Sequence, residues 1–209
     1  MKSPLRYQST SYDCGTTSFV NALMFLLDRE DIPPLVVQYV TAHTCDLHYG
    51  PQGGPGGTSF EAMAYLCGWL NDYAAETGMP VRCKALRGDE VHMGAGSPLV
   101  SCLEGGGAVV TSCWLGVNHY VLLTGMEGDV VRVFDSYYDS WPSSMLGDHA
   151  SLEGVKPVYD EPFCCTCKVE RWVLDAPEGT PYSLAARSGK EAFLFIRTDG
   201  ESATGQPDA

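Results

Sequence analysis

The rhythm of apolar and polar positions changes about one-third of the way along this chain. Near the start, Phe19, Leu23, Leu26 and Leu27 recur at helical spacing, which predicts a helix from about Cys14 to Leu27 with Asp13 as its N-cap. Ile32-Pro33-Pro34 breaks the chain and opens a second, short helix through Val40. Gly50 to Gly57 carries five glycines and two prolines and reads as an irregular loop. Thr58-Ser59-Phe60-Glu61 is a capping-box signature, and Phe60, Met63, Ala64, Cys67, Leu70 and Ala74 follow on one helical face. Gly78 ends that helix.

Beyond it the pattern turns to strands. Val81 to Ala85 alternates, and Ala108 to Trp114, His119 to Leu123, Val130 to Phe134 and Phe193 to Ile196 are short β-branched and aromatic runs. Gly125 to Asp129 reads as the turn joining two antiparallel neighbours. Helices first and an antiparallel sheet second predict an α+β fold. Residues 137–190 are aromatic and weakly periodic, and read as an insertion with a strand near Lys168 to Leu174. Residues 200–209 read as a flexible tail, leaving 1–199 as one domain.

Composition narrows the function classes. The 209 residues carry a formal charge of −13, which argues against nucleic-acid backbone or anionic membrane as a partner, since both need clustered Lys and Arg. No apolar run reaches the ~18–20 residues of a membrane span, and the first residues lack a secretory h-region, so a cytoplasmic location is expected. Nine cysteines are an odd number, and Cys67, Cys83 and Cys113 sit within periodic apolar segments. They are expected to be reduced core thiols.

A cysteine nucleophile needs a stabilised thiolate, a base and a donor for the oxyanion. Cys14 falls at a helix start, where unpaired N–H groups and the dipole lower a thiol pKa. Gly15 lets a substrate carbonyl approach the backbone, and Gln8 offers a side-chain amide to the oxyanion. His119 begins one strand and Asp135 ends the next. Two antiparallel strands joined by a tight turn bring those ends together, so the carboxylate can orient the imidazole.

The run Gln8-Ser9-Thr10-Ser11-Tyr12-Asp13-Cys14-Gly15, then His119-Tyr120-Val121-Leu122-Leu123 and Asp135, resembles the double-glycine (bacteriocin-leader) peptidase family of papain-fold cysteine peptidases. The resemblance covers about Tyr7 to Ser136. It implies a papain-like fold, Cys14 as nucleophile, His119 as base, Asp135 as orienting group and Gln8 at the oxyanion. The best-known members are fused to transporter domains that nothing in this chain resembles. The likeness is therefore to stand-alone relatives, and double-glycine specificity is not implied.

The reading that results is a cysteine peptidase acting on a peptide or protein, with no cofactor and no metal. An acyltransferase or transglutaminase-like enzyme with the same triad is the nearest alternative, and a catalytically silent peptide-binding module the next. Asp139 is a second candidate for orienting His119. Tyr137, Tyr138 and Trp141 either line the cleft or pack against the sheet. His43-Thr44-Cys45-Asp46-Leu47-His48 and Cys164-Cys165-Thr166-Cys167 contain zinc-type ligands, but neither completes a four-ligand site by itself.

Overall fold

In a computed structural model, residues 1–48, 56–137, 152–184 and 189–199 are described. Tyr138, Asp139, Trp141, most of the Gly50 to Gly57 loop and the 200–209 tail lie outside them.

Helix α1 spans Cys14–Leu26, α2 Pro34–Ala42 and α3 Phe60–Thr77. The inward stripe Phe19, Leu23, Leu26 and Leu27 is buried as its spacing requires. Proline at the first turn starts α2, where its missing N–H costs no bond. Ser59 caps α3 by accepting from the Ala62 amide at 3.1 Å, and Gly78 closes it at φ +76°, a backbone region that glycine enters without strain.

The strands are β1 (Val81–Arg87), β2 (Ala108–Trp114), β3 (Asn118–Glu127), β4 (Val130–Phe134), β5 (Val155–Pro157), β6 (Cys167–Glu170) and β7 (Glu191–Arg197). Helix α4 (Pro98–Glu104) precedes β2, and α5 (Arg171–Leu174) follows β6. The sheet runs β1-β7-β2-β3-β4-β6-β5 with every neighbouring pair antiparallel. Helices α1 to α3 cover one face, burying Phe19, Leu23, Leu66 and Leu70 against Val110, Leu122, Phe193 and Phe195. On the other face, α4 and α5 pack with Val91, Met93 and Tyr182 against Val109, Val121, Leu123 and Val133. Both faces are covered, which explains why β2 and β3 read as continuous apolar runs rather than as alternation.

Three local readings change. The turn between β3 and β4 is only Gly128-Asp129; Gly125 lies inside β3, where the register shifts between Leu123 and Gly125. The stretch from Lys168 to Leu174 is half strand and half helix, because α5 begins at Arg171. Cys67 and Cys83 form a disulfide rather than two reduced thiols. The inward face of α3 and the inward face of β1 bring these cysteines together at a Cα separation of 5.1 Å. The Asn71 carboxamide fixes the approach, donating to the Cys83 carbonyl and accepting from its amide, both at 2.8 Å. No helix among the described residues is long and apolar enough to cross a membrane.

Candidate active site

Three elements converge at one end of the sheet. Cys14 is the first residue of α1, His119 the second residue of β3, and Asp135 the residue after β4. The β3–β4 register pairs Leu122 with Phe134, and one further step sets Asp135 opposite Val121, two positions from His119 on the same face. His119 Nε2 donates to Asp135 Oδ1 at 2.7 Å. The imidazole also lies close enough to Cys14 for each group to shift the other's pKa. Cys14 retains 7% exposure and His119 4%, so the pair lies deep without being sealed.

Electrostatics then favour the charged pair. Burial alone pushes the His119 imidazolium toward losing its proton, but the Asp135 charge and hydrogen bond, with the Cys14 thiolate, outweigh it and hold the pKa at about 10. Burial likewise pushes the Cys14 thiol up. The hydrogen bond and charge of His119, together with the Tyr120 and Gly15 amides, bring it below its ordinary value. Asp135 stays ionised for the same reason: its desolvation is outweighed by His119, the Tyr137 amide and the Tyr182 hydroxyl.

Asp13 occupies the N-cap position but does not cap α1. Its carboxylate turns back onto the preceding loop, accepting from the Ser9 and Thr10 amides at 3.0 and 2.9 Å and from the Thr10 hydroxyl at 2.8 Å. The first-turn amides of α1 are therefore left without a side-chain cap beside the Cys14 sulfur, where they can serve an anion.

Gly15 also meets a packing need. A Cβ there would lie 2.7 Å from Thr58 Cβ, 2.8 Å from Thr58 Oγ1 and 3.2 Å from the Tyr120 ring. The absent side chain lets α1 press against Thr58 and β3.

Gln8 is tethered to the strand end that carries Asp135. Its amide N–H donates to the Ser136 carbonyl at 2.8 Å, its Oε1 accepts from the Ser136 hydroxyl at 3.0 Å, and its Nε2 donates to the Thr10 carbonyl at 2.8 Å. One of the two carboxamide hydrogens is thus engaged within the loop. Tyr137 sets its ring edge-on to His119, with centroids 6.3 Å apart.

Two supports escape a reading of the sequence. Tyr182, fully buried, donates its hydroxyl to Asp135 Oδ2 at 2.9 Å. It adopts φ +65°, a left-handed conformation that costs a bulky residue on the order of 1–2 kcal/mol. Its amide is tied to the Trp114 carbonyl at 2.8 Å. Thr166 accepts the Asp135 amide at 2.8 Å through its hydroxyl. Both lie in weakly periodic segments where no local pattern marks them.

A groove of about 620 Å³ lies elsewhere, lined by residues such as Arg6, Met24, Ile32 and Gln38. It holds no group of the cysteine–histidine–carboxylate cluster. The zinc-type clusters of the sequence do not meet. The metal-sized grouping among the described residues joins Cys164 and Cys165 with Glu161, not with His43, Cys45, Asp46 or His48.

No protein-family model matches this chain, and no curated protein does. Among solved structures, it is similar to a Bacillus anthracis protein described as a "putative C39-like peptidase". The TM-score is 0.50 at 14% identity, over 93% of this chain and 94% of that one. It also matches a double-glycine motif protease from an AMS/PCAT transporter, solved in complex with the leader peptide. There the TM-score is 0.42 at 14% identity, over 93% and 91% of the two chains. The first likeness establishes the papain-like α+β fold.

Proposed function

We propose that this chain is a cysteine peptidase, cleaving a peptide or isopeptide bond through an acyl-thioester on Cys14. The observation that carries the reading is the buried His119, bonded to Asp135 at 2.7 Å and close enough to Cys14 to lower the thiol pKa. The likeness in fold to a protein described as a C39-like peptidase supports the same class.

The shifted pKa values set the starting state. With the imidazolium favoured up to about pH 10 and the thiol pKa depressed, Cys14 attacks as thiolate while His119 already holds a proton. The sulfur–carbon bond forms, and the carbonyl electrons move to the oxygen. The Cys14 amide and the second N–H of the Gln8 carboxamide are the donors assigned to that oxyanion. As the carbon–nitrogen bond breaks, His119 passes its proton to the leaving amine. A water then attacks the thioester, giving its proton to His119, and the thiolate departs to restore the pair. Asp135 stays ionised throughout and holds the ring in place.

Incubating the protein with a peptide pool and sequencing the new N-termini tests the assignment. Cleavage by the wild type that disappears in both Cys14→Ala and His119→Ala supports it. Cleavage that persists in Cys14→Ala removes it.

A further inference from the structure

A second group of thiols lies on the turn before β6. The Cys164 and Cys165 amides both donate to the Glu161 carbonyl at 3.0 Å, which folds the chain back and holds the two side chains close. Their sulfurs and a Glu161 carboxylate oxygen all lie within 4.8 Å of one another. Two cations border the group, each already ion-paired, Arg132 with Glu127 and Lys168 with Glu161. Arg132 and Lys168 are cross-strand partners in the β4–β6 register, Lys168 Nζ sits 3.1 Å from Glu161 Oε1, and the Arg132 charge acts on Cys164. Arg132 Nε is buried with no hydrogen-bond partner. The Thr124 hydroxyl lies 3.6 Å from Cys164 Sγ, and Cys165 donates to Glu161 Oε2 at 3.5 Å.

These neighbours distinguish the two thiols. Cys164 is partly exposed, lies beside the Cys165 thiol and the Thr124 hydroxyl and faces Arg132, so its pKa falls to about 6 against the opposing effects of burial and Glu161. Cys165 is buried and is kept protonated, chiefly by its hydrogen bond to Cys164 and then by burial. A thiolate beside a protonated thiol is the arrangement of an attacking and a resolving cysteine. The same two cations count against a metal ion in this position, because Lys168 already occupies the Glu161 carboxylate.

We propose that Cys164 and Cys165 form a second thiol site, separate from the Cys14 cleft, where a hydroperoxide oxidises Cys164 and Cys165 closes onto it as a disulfide. In the first step the Cys164 sulfur attacks one peroxide oxygen. The S–O bond forms, the O–O bond breaks, and the departing hydroxide takes up a proton as water, leaving Cys164 as sulfenic acid. In the second step the Cys165 sulfur attacks Cys164, the S–S bond forms, the S–O bond breaks, and the hydroxyl leaves with the Cys165 proton as a second water. One peroxide is reduced and two thiols are oxidised. The adjoining residue, Thr166, holds the Asp135 amide, so ring closure reaches the support of the candidate active site.

The test uses the full chain carrying Cys14→Ala, which silences the other activated thiol, exposed to hydrogen peroxide at pH 6.5. The peptide containing both cysteines should lose two hydrogens, reversibly with dithiothreitol. It should react roughly tenfold faster than cysteine in a short unstructured peptide, because its thiolate fraction outweighs its lower intrinsic nucleophilicity. Adding Cys165→Ser should stop the reaction at a sulfenic acid that a cyclic diketone traps on Cys164. Three results overturn the proposal: reaction no faster than the free peptide, a cross-link that survives Cys165→Ser, or thiols that stay protected until a chelator releases bound zinc.

Discussion

The Tyr182 hydroxyl donates to Asp135 Oδ2 at 2.9 Å while His119 donates to Oδ1 of the same carboxylate at 2.7 Å. Each carboxylate oxygen therefore has a side-chain donor, and the backbone of Tyr182 sits at φ +65° to supply one of them.

Tyr182→Phe removes that donor while keeping ring and backbone. The turnover number should fall by about tenfold, corresponding to ~1.4 kcal/mol, with KM unchanged. Alkylation of Cys14 at pH 6 should persist, because the Cys14–His119 contact does not involve Tyr182. A variant as active as wild type, or one that loses fold and labelling together, would contradict a positioning role.

Stability against pH reads the ion pair directly. His119, raised from 6.5 to about 10, contributes stability that is full below about pH 6.5 and lost as pH rises through 10. Cys14, lowered from 9.0, contributes stability that is full above that value and lost as pH falls through its depressed pKa. Between about pH 6.5 and 9 the two trends offset, since the folded and unfolded pairs each hold one proton. Cys14→Ala leaves only the His119 trend, driven by Asp135 without the Cys14 contribution. Its denaturation midpoint should fall relative to wild type between pH 7 and 9, by at most ~1.4 kcal/mol per pH unit. Parallel profiles for the two proteins would show that no such pair exists.

Gly15→Ala should destabilise the fold by ~1–3 kcal/mol, because the new methyl meets Thr58 and Tyr120. Urea denaturation measures it. An unchanged midpoint would mean that α1 is not pressed against Thr58 as described.

Gln8→Ala should lower kcat by on the order of 10²-fold if its free carboxamide hydrogen serves the oxyanion, with Cys14 labelling unaffected. Loss of less than about threefold would assign Gln8 only to the loop, through Thr10 and Ser136.

How far the sequence reached depends on the range of each interaction. The β2–β3–β4 meander was legible because its strands are apolar, consecutive and joined by tight turns, so the neighbouring of His119 and Asp135 followed from local pattern alone. Helix α1 was legible for the same reason, yet its cap was not. Asp13 is the right residue at the right place, but its carboxylate finds three donors in the Ser9–Thr10 loop. Tyr182 and Thr166 were invisible because they reach Asp135 across 47 and 31 residues from segments with no periodicity. The Cys67–Cys83 bond was missed because each cysteine also fits an apolar face, and only the docking of α3 on β1 brings the two sulfurs together.

The rate of Cys14 alkylation by iodoacetamide as a function of pH, in wild type and His119→Ala, reports whether the imidazolium holds the sulfur as thiolate. Attack by a thiolate held beside imidazolium predicts stoichiometric labelling whose rate rises at lower pH than that of an ordinary thiol, a shift lost in His119→Ala. A rate that climbs only above about pH 8, as for an ordinary thiol, and is indifferent to His119 would contradict it.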